Sequence, residues 1–209
     1  MIDVAVQVFA KRGYHAASVD EIAELAGISK PMVYLYLDSK EGLFLACLRR
    51  EADRLVTAFQ GAAREAAATG ADGGSGRGGA PEVRLHAGLL AFFAFVAERR
   101  DSWVVLHRQA SELSETIAAA VAEARRAVMA QVAELVRAGI EESVAAPQLT
   151  EREADFVAHA LVGAADSLTD WMARNPGQSP EGVALRLMNM VWVGMGRVLE
   201  GEVWVPARG

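Results

Sequence analysis

Apolar residues return every three or four positions along most of the 209-residue chain, and strict two-residue alternation is nearly absent. Ile2, Ala5, Val6 and Phe9 fall at i, i+3, i+4 and i+7, the stripe of a helix with one buried face, and Gly13 closes it. Val19, Ile22, Ala23 and Ala26 repeat the stripe in a second, shorter helix. Later helices are expected near 40–68, 82–99, 102–113, 114–143, 150–174 and 179–199, giving an all-α chain of about nine helices. Thr150 precedes two glutamates, Ser179 precedes Pro180 and Glu181, and the NPGQSP segment separates the last two elements.

The segment from Ser18 to Lys40 has the densest start and stop chemistry. Ser18 and Glu21 form S-x-x-E, a capping box, and Asp20 adds negative charge to the same first turn. Gly27 suits a tight turn because it lacks a Cβ. Ser29 is the next N-cap, with Ile28 and Val33 spaced as a hydrophobic staple and Pro31 in the first turn. Two short helices joined by such a turn make a helix-turn-helix.

A rotation of about 100° per residue sorts the second of these helices. Val33 and Leu37 fall inward, whereas Pro31 and Leu35 point away, flanked by Met32 and Tyr34. Lys30 lies one turn before Tyr34, and Met32 one turn before Tyr36. An outward face with an apolar centre, a cation and phenol hydroxyls suits a DNA major groove: the lysine and tyrosines for phosphates, Pro31, Met32 and Leu35 for base edges and thymine methyls. A core or protein-docking helix with packed tyrosines is the plainer alternative. The net charge of −6 does not oppose DNA binding once it is divided. Met1 to Arg50 carries six Lys/Arg against six Asp/Glu, all three lysines lie there, and the remaining 15 basic and 21 acidic residues place the excess downstream.

The run from Ile2 to Leu43 resembles the DNA-binding domain of TetR-type regulators. The matching residues are Ala5, Phe9, Gly13, Ser18, Val19, Ile22-Ala23, Ala26-Gly27-Ile28-Ser29, Tyr34, Tyr36, Ser39-Lys40-Glu41 and Leu43. The resemblance implies a three-helix domain over about residues 1–45, with the third helix in the major groove. It implies phosphate contacts from Ser18, Tyr34, Tyr36 and Lys40, and base-facing positions at Lys30, Pro31, Met32 and Leu35. Ser29, at the start of that helix, completes the expected DNA-contacting set. Lys40 also opens a helix whose N-terminal amides can join it at one phosphate. Two departures stand out. The first helix opens almost at Met1, so the basic arm often preceding it in the family is absent or the chain is shortened. Leu37 stands where the family usually has phenylalanine.

The resemblance further implies that residues 46–209 form a helical domain that binds a small effector and dimerises through its last two long helices. Apolar and small residues on those helices (Phe156, Ala160, Gly163 and Ala164, then Met188, Val191, Trp192 and Met195) fit a self-complementary four-helix interface, or else burial within one subunit. Two recognition helices about 34–36 Å apart would then read a palindromic operator, and an effector that favours another spacing would release it. Phe92, Phe93, Trp103, His107 and Trp171 are candidates to line an effector pocket, with His159, Asp166 and Asp170 as polar contacts along one side of an apolar helix. The effector is expected to be small and largely apolar.

The Gly-rich stretch of about residues 69–81 is expected to be a flexible loop. It holds a literal G-x-G-x-x-G at Gly74, Gly76 and Gly79, but no strand precedes it, so no dinucleotide cofactor is expected. The single Cys47 excludes an intramolecular disulfide framework and a cysteine zinc site, and no other spacing suggests a metal. Nucleophile-elbow, P-loop and HExxH motifs are missing, which argues against an enzyme. With no apolar run of about 20 residues and no signal segment, a cytoplasmic protein without membrane association is expected. A helical adaptor is the rival: it would explain an exposed Leu35, but not the Lys30, Tyr34, Tyr36 and Lys40 around it.

Overall fold

The structure, a computed structural model, describes residues 1–71, 80–107, 114–142 and 151–199. Among them are nine α-helices and no strand: α1 (Ile2–Ala16), α2 (Val19–Leu25), α3 (Lys30–Leu37), α4 (Lys40–Ala71), α5 (Pro81–Glu98), α6 (Arg100–His107), α7 (Glu115–Glu142), α8 (Glu151–Arg174) and α9 (Pro180–Leu199). Most ends fall within a residue or two of the expected ones. Two places are informative. Gly13 breaks α1 where the sequence expects its close: it takes non-helical φ 78 and ψ 159, and a short turn follows beyond the kink to Ala16. At the Gly-rich stretch, α4 continues through Thr69 to Ala71 and Pro81 already opens α5, since proline is well suited to a first helical turn. The glycine triplet at 74, 76 and 79, the expected loop between those helices, and Thr150 lie outside the described residues.

The described chain falls into two compact units. The first comprises Met1–Thr57 and Phe95–Ala127. Its core gathers Phe9, Ile22, Val33, Leu43, Phe44 and Leu48, with Val105 and Ile117 joining from later in the chain. Phe9 and Phe44 meet edge to face at 5.0 Å and 87°, and Tyr14 meets Phe44 in the same way at 5.2 Å. Phe9 and Phe44 are fully buried, and burial of each ring, worth about 1.5–3 kcal/mol, holds α1 on α4.

Two backbone devices set the angles within this unit. After α2, Ile28 N–H reaches Ala23 O at 3.0 Å and Gly27 N–H reaches Glu24 O at 3.1 Å, a Schellman closure with Gly27 at φ 67. After α3, Ser39 Oγ accepts the Gly42 amide at 2.9 Å, capping α4. A Cβ at Gly42 would run into the Leu37 carbonyl, so this close approach requires glycine.

The second unit comprises Ala58–Ala94 and Val128–Gly209. Leu85, Phe93, Val136, Leu161 and Leu187 are its most buried large side chains; α8 and α9 touch, and Ala154, Ala158 and Ala184 on them are fully buried. Ser179 Oγ accepts the Gly182 amide at 3.1 Å and caps α9 as its sequence position predicts. No described helix is long and apolar enough to cross a membrane.

Candidate nucleic-acid interface

Helix α3 contributes one side chain to full burial, Val33 at 1% exposure. Leu35 is 73% and Tyr36 68% exposed, with Met32 and Tyr34 near 40% and Ser29, Lys30 and Pro31 also outward. The α3 residues that the sequence assigns to an outward face are thus each exposed. Ser29 occupies the N-cap position but makes no side-chain capping bond, leaving its hydroxyl available.

The cations of this face are held by partners from the first two helices. Lys30 Nζ stands 2.9 Å and 3.0 Å from the two carboxylate oxygens of Asp20. That hydrogen bond, and then the charge of Asp20, push the Lys30 ammonium above the usual lysine range. Lys40 Nζ donates to His15 O at 3.0 Å and lies 4.9 Å over the Tyr14 ring. It thus sits at the negative end of α1, where unsatisfied carbonyls favour a cation. Ser18 Oγ accepts the Asp20 amide at 3.1 Å. Glu21 does not return to close the capping box; its carboxylate pairs with Arg12 at 3.3 Å, because α1 brings a guanidinium within reach.

An ion cluster around one buried carboxylate, which the sequence did not disclose, ties α1 to α4. Glu51 is fully buried, and its Oε1 accepts from Arg50 at 2.7 Å and Arg54 at 2.9 Å. The same arginines reach Asp3 Oδ1 at 2.8 Å and 3.3 Å, and Arg50 foremost holds the Asp3 carboxyl below its ordinary range. The cluster fixes the start of α1 on α4, and α2 and α3 pack on that pair. The signal in sequence is only an i, i+3 pair, Glu51 and Arg54, within a charged run that reads as a solvated face.

The other expected site residues are dispersed. Phe92 and Phe93 are buried core residues of the second unit, edge to face at 5.2 Å, while Trp103 is buried in the first. Trp171, Asp166 and Asp170 are half-buried on α8, and His159 is exposed, its Nδ1 2.8 Å from Asp155 O. Phe156 is 72% exposed, Ala160 and Gly163 are exposed beside it, and Ala164 is half-buried. On α9, Met188 is buried within its own chain, Val191 and Trp192 are half-buried, and Leu185 and Met190 are exposed. The side chains of His107 and Met195 lie outside the described residues. A cleft of about 250 Å³ in the second unit is lined by other residues, among them Phe59, Ala63, Arg64, Arg84, Gln131 and Leu135.

Comparison with known proteins places this geometry in a family. The family model for "Bacterial regulatory proteins, tetR family" matches residues 1–47, and that for "Tetracyclin repressor-like, C-terminal domain" matches residues 81–194. A TetR-like transcriptional regulator from Rhodococcus sp. RHA1 is 34% identical, each chain covered to 93%, with a TM-score of 0.67. The HTH-type transcriptional activator FasR of Mycolicibacterium smegmatis is 35% identical over 136 residues, which are 65% of this chain and 57% of that protein. The match thus spans little more than half the length of that relative. The fold also matches a FadR regulator of Bacillus subtilis solved with stearoyl-CoA, at 17% identity, 91% and 95% coverage and a TM-score of 0.72. With an exposed helix-turn-helix ahead of a larger helical unit, and both halves matched, the chain belongs to the tetR family of bacterial regulatory proteins.

Proposed function

We propose that this chain is a ligand-responsive transcription regulator that binds a palindromic operator in double-stranded DNA as a homodimer, and that an effector releases it. The observation that carries this reading is the outward face of α3. Leu35, Met32 and Pro31 are apolar yet exposed, and Lys30, Tyr34 and Tyr36 surround them. An isolated exposed leucine needs no explanation, but this set matches what a major groove offers: phosphates at the margins and base edges in the middle. Exposed Ser29 and half-buried Ser18 and Lys40 are the further candidates for contact with the DNA backbone.

Homodimer formation is supported by Phe156, Ala160 and Gly163, exposed at i, i+4 and i+7 on α8, beside an α9 that exposes Leu185 and Met190. The cleft near Phe59 is our candidate effector site, with apolar walls at Phe59, Ala63 and Leu135 and polar groups at Arg64, Arg84 and Gln131. The protein acts in the cytoplasm, where its DNA is, and performs no catalysis. Repression is the simpler mode, since occupying a promoter needs no contact with polymerase. Activation is the second reading, favoured by the activator name of the 35% identical relative.

Selection from a random duplex pool tests the proposal. Enrichment of a palindrome whose half-sites lie about one helical turn apart, or a multiple of it, is expected. Recovery of no common sequence would contradict it. A reporter driven by the recovered site then separates repression from activation.

A further inference from the structure

We infer that Asp20 is a specificity-determining residue of the DNA-binding face, acting through Lys30; this rests on the DNA-binding reading above. Lys30 is the first residue of α3 and Asp20 the second of α2. The ammonium stands within 3.0 Å of both Asp20 oxygens. Asp20 is itself anchored, because Ser18 Oγ holds its amide and the α2 N-terminus favours its negative charge. The pair is well exposed, at 49% and 64% for the two side chains, so it adds little to folding stability. Its geometry therefore invites another reason.

A lysine is a point charge on a flexible four-carbon stem. Left free at the edge of a recognition helix, it would seek whichever phosphate came within reach and add affinity for any DNA sequence. Held by Asp20, it becomes a placed donor at the N-terminal end of α3, the part of a recognition helix that contacts base edges. There it can donate to guanine O6 or N7. Paired with the ammonium, the carboxylate offsets the charge that a free Lys30 would offer to a phosphate. Asp20 thus lowers affinity for non-matching DNA and sharpens the choice at the base that Lys30 reads. Lys40, by contrast, is held by the His15 carbonyl and Tyr14, with no carboxylate among those partners.

Five proteins decide the matter: wild type, Asp20→Asn, Asp20→Glu, Lys30→Met and the double variant Asp20→Asn/Lys30→Met. Each is titrated by fluorescence anisotropy onto a selected operator duplex and a shuffled duplex, across a salt series, after thermal melting shows it folded. Asp20→Asn should tighten binding to the shuffled duplex about 3- to 10-fold and steepen the log K against log salt slope by about 0.9, one added phosphate contact. Operator binding should change less, so the specificity ratio falls. Asp20→Glu should keep most of the ratio, and the Asp20→Asn effect should vanish when Lys30 is methionine. An unchanged ratio and slope in Asp20→Asn would overturn the inference. So would an effect that persists in full in the Lys30→Met background, which would show Asp20 acting by its own charge alone. Wild-type protein that binds neither duplex would overturn the DNA-binding reading itself.

Discussion

Val33 and Leu35 stand two positions apart on α3 and face opposite ways: Val33 is 1% exposed against the core of the first unit, and Leu35 is 73% exposed. One residue holds the helix in place, and the other is offered outward.

Their substitution should separate stability from binding. Val33→Ala removes buried methyl groups and should cost about 1–3 kcal/mol in urea unfolding. Leu35→Ala should leave stability within about 0.5 kcal/mol yet weaken operator binding, with thymine-methyl contact as its expected source. Comparable loss of stability in both variants would argue against an outward role for Leu35.

Gly42 faces the Leu37 carbonyl so closely that no Cβ fits. Gly42→Ala should therefore displace the α3–α4 turn and destabilise the protein by about 1–3 kcal/mol, despite the higher helix propensity of alanine. Thermal unfolding measures it; a rise in Tm would refute this close approach.

Cys47 is fully buried, its thiol 3.9 Å from Ile2 O, and burial foremost pushes its pKa up to about 12. The native protein should resist a thiol reagent at pH 8 and react once unfolded in urea. Because the folded pKa lies above the unfolded value near 8.5, the unfolded state loses this proton first. The Cys47 contribution to stability is present below about pH 8.5 and declines as pH rises toward 12. Urea unfolding between pH 8 and 10.5 should show a shallower decline in Cys47→Ala than in wild type.

Phe156 is 72% exposed on α8. If it lies in the proposed dimer interface, Phe156→Asp should shift the protein toward monomer in light scattering at micromolar concentration while leaving helical content unchanged. A dimer unaffected by this charge would place the interface elsewhere.

The helical order was legible because each amphipathic helix writes its period into the sequence, and the Gly27 turn was legible because glycine at that spacing suits a Schellman closure. The outward set on α3 followed from rotation alone. What escaped was pairing between elements. Lys30 and Asp20 lie ten residues apart across a turn, and neither composition nor period joins them. Glu51 sits among arginines in a run that looks solvated, and only the packing of α1 on α4 shows it fully buried. Val105 and Ile117 join the core around the helix-turn-helix from more than fifty residues away, a long-range packing no local pattern carries. Gly13 is the break its position suggests, and the one turn beyond it, closed by Ala17 N–H to Gly13 O at 3.1 Å, is what the local pattern leaves out.

The most direct test of the central claim is fluorescence anisotropy on a labelled duplex taken from the DNA beside the protein's own gene, run at several salt concentrations against a shuffled competitor. Specific binding that weakens steeply with salt is predicted, with the slope giving a count of phosphates contacted. Equal binding to the operator and shuffled duplexes, or none to either at low salt, would contradict the account.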